Sequence, residues 1–194
     1  MLGIVLCGGT SSRMGRDKGL LQADNGSWAG KMLDNFRKLG IRGLLSVNPK
    51  QVDQYQSIFP GVELLCDNDT LKIKGPLAAV LSVHLKYPAE DLFIMACDMP
   101  FMDLMVLEEM TSQYLRVPGH DAYVYTNDGE PEPLCAIYSA KGLAGIEAIY
   151  ERGELIKHSM KFILDHLSVV RIPIPEKWKS FFRNINAHAD LNGL

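Results

Sequence analysis

Leu2-Gly3-Ile4-Val5-Leu6-Cys7 followed by Gly8-Gly9-Thr10-Ser11-Ser12-Arg13-Met14-Gly15-Arg16-Asp17-Lys18-Gly19-Leu20-Leu21 reads as a buried strand running into a glycine loop. Glycines 8 and 9 let the backbone turn sharply and bring N–H groups close to an anion, while Arg13, Arg16 and Lys18 supply charge suited to a triphosphate. Leu6, Cys7, Gly8, Gly9 and Lys18 are therefore expected to form a nucleotide-binding loop. No Gly-Lys-Ser/Thr follows at the Walker A spacing, and the G-x-G-x-x-G of dinucleotide-binding units is missing.

Outward from this stretch, apolar runs of strand length recur at 43–48, 62–66, 92–97, 121–125, 134–138 and 168–174, after the first at 2–7. Helical patterns separate most of them. Residues 29–39 place Met32, Leu33, Phe36 and Leu39 on one face and stop at Gly40; Pro76 opens a second pattern with Leu77, Val80, Leu81 and Leu85; a third follows Asp103 with Leu104, Leu107 and Met110. This alternation predicts an α/β fold: a single doubly wound, mostly parallel sheet with helices on both faces, spanning 1–194 as one domain. In such sheets ligands sit at the carboxyl ends of the strands, where the strand order reverses.

The chain has 194 residues, 47% hydrophobic and 22% charged, enough for one well-buried core, and a formal net charge of −3. That balance gives no footprint for nucleic acid or an anionic membrane surface. No apolar run approaches the ~20 residues of a bilayer span, and the N-terminus is a core strand rather than a leader, so a cytoplasmic location is expected. Cys7, Cys66, Cys97 and Cys135 form no C-x-x-C, and His84, His120, His158, His166 and His188 show no ligand spacing. The cysteines read as small buried residues in a reducing compartment.

Three polar positions directly follow apolar runs. Asp98, in Asp98-Met99-Pro100, is either a Mg²⁺ ligand or a turn residue ahead of the proline. One carboxylate suffices for Mg²⁺, whose octahedron is otherwise filled by water and phosphate oxygens. Asn48 and Asp67, with Asp69 as a rival to Asp67, offer an amide and a carboxylate suited to the edge of a guanine; both types are also turn formers.

The opening stretch resembles the signature L-x-G-G-x-S-x-R-M-G-x-D-K-x-L-L of the molybdenum cofactor guanylyltransferase family, with Leu6, Gly8, Gly9, Ser11, Arg13, Met14, Gly15, Asp17, Lys18, Leu20 and Leu21 in register. The resemblance extends to Gly75-Pro76-Leu77, to Asp98-Met99-Pro100 and to Pro133-Leu134-Cys135-Ala136-Ile137-Tyr138. Near the end, Asn184-Ile185-Asn186 followed by Ala187-His188-Ala189-Asp190-Leu191 resembles the family's N-x-N-T-P-E-D-L, with Ala187-His188 in place of Thr-Pro. The segment Ser27-Trp28-Ala29-Gly30-Lys31 departs from the family's G-x-P-L.

The resemblance implies a Rossmann-like nucleotidyltransferase fold and transfer of GMP from GTP to the terminal phosphate of molybdenum-bearing molybdopterin, with pyrophosphate leaving. It casts Asp98 as the Mg²⁺ anchor, Arg13 and Lys18 as catalytic clamps, Asn48 and Asp67 as GTP contacts, and Asn184 and Asn186 as candidates to hold the acceptor or to form a terminal cap. Gly8, where the cytidylyl branch tends to alanine, leaves room for a purine, although one methyl is worth only about 1–3 kcal/mol in a pocket. GTP and molybdopterin are the implied small-molecule partners, with molybdoenzymes or other cofactor-assembly proteins as further candidates. Alternatives are a cytidylyltransferase, a sugar-phosphate nucleotidyltransferase, or a non-catalytic nucleotide-binding delivery module.

Overall fold

The apolar N-terminal run becomes strand β1 (Leu2–Leu6). In the computed structural model, which describes residues 1–8, 17–23 and 26–185, a short antiparallel ribbon of β2 (Gln22–Ala23) and β3 (Gly26–Ser27) leads into helix α1 (Trp28–Lys38). Strand β4 (Arg42–Ser46), helix α2 (Val52–Ile58), strand β5 (Glu63–Leu65), helix α3 (Pro76–Lys86) and strand β6 (Leu92–Ala96) follow. The second half contains α4 (Leu104–Arg116), β7 (Ala122–Asn127), β8 (Glu130–Tyr138), α5 (Ala140–Glu151), α6 (Met160–Leu164) and β9 (Val169–Pro173). Among the described residues, seven of these strands form one sheet in the order β5-β4-β1-β6-β8-β7-β9, with β8 alone antiparallel to its neighbours. The mostly parallel sheet expected from the alternation is present.

Each face of the sheet is covered by helices. Val5, Met95 and Tyr123 pack with Met32 and Phe36 of α1 and with Val106 and Met110 of α4. Ile4, Ile94 and Val124 on the opposite face pack with Leu77 and Leu81 of α3 and with Leu143 and Ile146 of α5. Because a strand sends alternate side chains to opposite faces, a run with no polar position is what two-sided cover demands. Burial of Phe36 contributes about 1.5–3 kcal/mol, and it sits close to the sheet because Gly3 and Gly43 are register partners on β1 and β4. A Cβ on Gly3 would lie 2.5 Å from the Phe36 ring, and one on Gly43 2.8 Å from Leu33.

Helix α1 begins with a cap of a different kind from the family's proline. The Ser27 hydroxyl accepts the Gly30 N–H at 3.2 Å, satisfying one of the orphan donors of the first turn, and Gly40, at φ +69°, ends the helix one residue past its C-cap. The departure at Ser27-Trp28 therefore exchanges a rigid first residue for a hydrogen-bonded cap, with Trp28 buried in the core.

Strand β8 is longer than the run 134–138 suggests and forms a hairpin with β7 through the two-residue turn Asp128-Gly129, both at positive φ, as type I′ turns require. Pro131 and Pro133 argue against a strand, yet β6 pairs with β8 only from Cys135 to Tyr138, so the prolines lie where β8 has β7 as its single neighbour.

Candidate active site

Register aligns the strand ends that matter. Leu6 is opposite both Ser46 and Ala96, and Ser46 is opposite Leu65, so β1, β4, β5 and β6 stop along one line at the carboxyl edge of the sheet. The residues after them are brought side by side. Beyond this edge lies a cavity of about 450 Å³, whose wall includes Leu6, Cys7, Gly8, Lys18, Asp67 and Asp98. The chain order reverses here: from β1 the sheet grows outward through β4 and β5, and then crosses back to place β6 on the other side of β1.

Lys18 opens a short 3₁₀ turn, Lys18–Leu20, and its Nζ lies 3.2 Å from Asp98 Oδ2. The two side chains are 18% and 23% exposed, so the pair sits at the cavity wall where ligand atoms can reach it. Asp98 is held from its backbone side: its carbonyl accepts the N–H of the buried Ile185 at 3.1 Å, and the carbonyl of Pro100, two residues on, accepts from Lys31 Nζ at 2.6 Å. The Lys18–Asp98 contact links residues 80 apart in sequence.

Asp17, next to Lys18, has a different environment. Its carboxylate caps the 3₁₀ turn by accepting the Gly19 N–H at 3.0 Å, and it also accepts the Tyr55 hydroxyl at 2.8 Å and the Gln51 side-chain amide. With three protein donors already on it, Asp17 is a cap and not a second open carboxylate.

Asp67 lines the cavity, whereas its rival Asp69 is not among the lining residues. Partial burial, and then the charge of Asp69, hold the Asp67 carboxyl above the usual carboxylate range. Gly75 and Pro76 also line the cavity; Gly75 stands at φ +76° as the N-cap of α3 and offers no side-chain cap, so the positive end of the α3 dipole faces the space.

Asn48 stands behind Gly8 rather than in the wall. Its side-chain oxygen accepts the Lys50 N–H at 3.0 Å and caps the short helix Pro49–Gln51, and a Cβ on Gly8 would lie 3.6 Å from the Asn48 nitrogen. Asn184 is exposed and precedes Ile185, which puts it one residue from the Asp98 backbone contact. Gly9, Arg13 and Asn186 lie outside the described residues.

Of the residues around the cavity, Ser46 and Ala79 carried no sequence signal, being small residues at a strand end and in a helix turn. Gln51 and Tyr55, which grip Asp17, were also missed, because a glutamine and a tyrosine in a polar helical stretch look like surface residues until the fold brings them to the loop. Cys7 and Cys97 face each other across the ends of β1 and β6; a hydrogen bond with Cys7, reinforced by burial, pushes the Cys97 thiol well up and keeps it protonated. Among the described residues, Lys18, Asp67, Asp98 and the amino end of α3 meet at a cavity at a strand switch point, an arrangement suited to a nucleoside triphosphate.

Comparisons with known proteins bear on the family and the fold. Residues 3–169 match the family model of the MobA-like NTP transferase domain. A probable molybdenum cofactor guanylyltransferase from Methanosarcina mazei is 30% identical over 98% of this chain and 88% of its own length, and one from Halalkalibacterium halodurans is 26% identical over 98% and 96%. In fold, the chain is similar to the crystal structure of molybdopterin-guanine dinucleotide biosynthesis protein A from Archaeoglobus fulgidus, with a TM-score of 0.78 at 24% identity over 100% of this chain and 96% of that one. The chain belongs to the MobA-like NTP transferase family and is an enzyme of the nucleotidyltransferase class.

Proposed function

We propose that this enzyme transfers GMP from GTP to the terminal phosphate of molybdopterin, giving molybdopterin guanine dinucleotide and pyrophosphate. The observation that carries the reading is the Lys18–Asp98 pair, 3.2 Å apart at the wall of the cavity beyond β1 and β6; the guanylyltransferase names of two relatives that match nearly the whole chain supply the nucleotide and the acceptor.

An oxygen of the acceptor phosphate attacks the α-phosphorus of GTP, the bond from that phosphorus to the β-phosphate bridge breaks, and pyrophosphate leaves with the electron pair. A phosphate monoester with second pKa near ~6 is already ionised at neutral pH, so no protein base has to remove a proton. The task left to the protein is alignment and charge stabilisation. Lys18 sets its ammonium against the triphosphate, the α3 amino end adds a positive dipole, and Gly8 keeps the floor open beneath the nucleotide. Asp67, with Asn48 behind Gly8, is assigned to the guanine side, where a carboxylate accepts from the base's N–H donors. Asn184 is assigned to the acceptor side.

The donors at the wall suit Mg²⁺. Asp98 is a hard oxygen donor facing the cavity, while Asp17 is occupied by its three protein donors and the protonated Cys97 thiol offers no soft ligand. Asp98 would hold the ion, which when bound neutralises triphosphate charge.

The test is transfer of label from α-phosphate-labelled GTP into dinucleotide with molybdenum-loaded molybdopterin and Mg²⁺, with CTP in parallel. Label entering from GTP alone is expected. Label entering from CTP alone overturns the base assignment, and transfer from neither, with an acceptor that a known enzyme converts, overturns the catalytic reading in favour of a binding module.

A further inference from the structure

The residues that grip Asp17 come from outside the glycine loop. Gln51, 9% exposed, uses both amide N–H donors and its carbonyl oxygen: the nitrogen donates to the Cys7 carbonyl at 3.1 Å and to Asp17, and the oxygen accepts the Asn48 N–H at 2.8 Å. One buried amide thus joins the end of β1, the start of the segment after β4 and the residue before Lys18. Tyr55, fully buried on α2, donates its hydroxyl to Asp17 at 2.8 Å. The same hydroxyl occupies the space a side chain would need at the residue after Lys18: a Cβ on Gly19 would fall 2.3 Å from it and 3.2 Å from Cys7 Sγ. One tyrosine oxygen therefore bonds the residue before Lys18 and leaves room only for glycine at the residue after it. Burial, with the Asp17 hydrogen bond acting in the same direction, holds the Tyr55 phenol well above its ordinary value, so it remains a donor throughout the working pH range.

We infer that Gln51 and Tyr55 are positioning residues for Lys18, acting through Asp17 and Gly19, so that the segment following β4 sets where the lysine stands against Asp98. The kinetic part of this inference rests on the guanylyltransferase reading; the geometric part does not. Gln51 and Tyr55 act at one remove from the substrate and have no part in its chemistry. Because Gln51 also holds the Asn48 backbone, it ties the side assigned to the base to the side assigned to the phosphates.

The test is a double-mutant cycle on kcat/KM for GTP at saturating acceptor, using Tyr55→Phe, Lys18→Ala and the pair, with Gln51→Met as a second variant in the same cycle. Tyr55→Phe is expected to lower kcat/KM about tenfold in the wild-type background and less than about twofold once Lys18 is alanine, because a residue acting through Lys18 has nothing left to act on. An equal loss in both backgrounds, the mark of a general structural role, overturns the inference, as does no loss in the wild-type background. A crystal structure of Tyr55→Phe gives a readout independent of turnover: the Lys18 ammonium is expected to leave ion-pair distance of Asp98, beyond about 4 Å, and an unchanged contact overturns the inference. A wild-type protein that transfers nothing from GTP defeats the guanylyltransferase reading instead, and the crystal structure then decides the positioning claim alone.

Discussion

The two edges of the sheet treat carboxylates in opposite ways. At the amino edge, Glu63, the first residue of β5, meets Lys86 at 2.7 Å, the Tyr87 hydroxyl at 2.6 Å and Arg42 at 2.5 Å. Asp91, just before β6, accepts the Ala140 N–H at 2.7 Å and the Tyr114 hydroxyl, and Asp121, just before β7, accepts the Ser168 N–H at 3.0 Å. At the carboxyl edge, Asp98 has Lys18, and Asp67 faces the cavity, where partial burial and then the like charge of Asp69 work against its ionisation. Acids saturated by protein donors hold the fold together. Acids left open at a cavity keep their lone pairs for a ligand, and Asp17 shows that the distinction lies in the partners, because it adjoins the open site and is nonetheless saturated.

The largest effect expected from breaking this contrast is at Asp98. Asp98→Ala should lower transfer by about 10³-fold or more while leaving the fold intact, as turnover and circular dichroism of one preparation would record. Lys18→Ala should cost about 10²-fold in kcat/KM, weakening GTP and slowing turnover together, which equilibrium binding and steady-state rates separate. At the other edge the signature reverses: Asp91→Ala removes the acceptor of two hydrogen bonds, and is expected to cost about 2–3 kcal/mol in denaturant unfolding with kcat changed less than about twofold.

The smallest effects carry opposite signs. For Glu63, burial works against ionisation and is outweighed by the Lys86, Tyr87 and Arg42 hydrogen bonds, so its folded-state pKa is lowered. Its contribution is complete above the ordinary carboxylate range and is lost as pH falls through the lowered value. Asp67 has a raised folded-state pKa, so its ionisation opposes folding at neutral pH, and that penalty disappears on acidification below the ordinary range. Melting curves at pH 7 should therefore show Glu63→Gln below wild type and Asp67→Asn above it, each by about 1–3 °C, with both differences shrinking toward pH 3.

The open edge was legible in the sequence because each of its strands is an apolar run that ends abruptly in a polar or glycine residue. Gly8, Asp67 and Asp98 stand out in the sequence for that reason, and all three line the cavity. Lys18 was legible through the glycine loop, but its contact with Asp98 was not, since it joins segments 80 residues apart. The saturated sites were largely illegible: Gln51 and Tyr55 acquire their roles only when α2 packs beside the end of β1. Helix α5 was obscured by Gly142 and Gly145, which lower its intrinsic propensity. At Gly142 the cause is packing, because a Cβ would lie 2.7 Å from Asp121. The β7–β8 hairpin had its signal in Asp128-Gly129, masked by the two prolines that follow.

The contrast depends most on Asp98 being the open acid that serves the reaction. The direct measurement is a Mg²⁺ titration of GTP turnover for wild type and Asp98→Ala side by side, with melting temperatures taken on the same samples. A saturable rise for wild type and a flat, near-background response for the variant at a similar melting temperature is the expected result. A variant with normal Mg²⁺-dependent turnover would contradict the account.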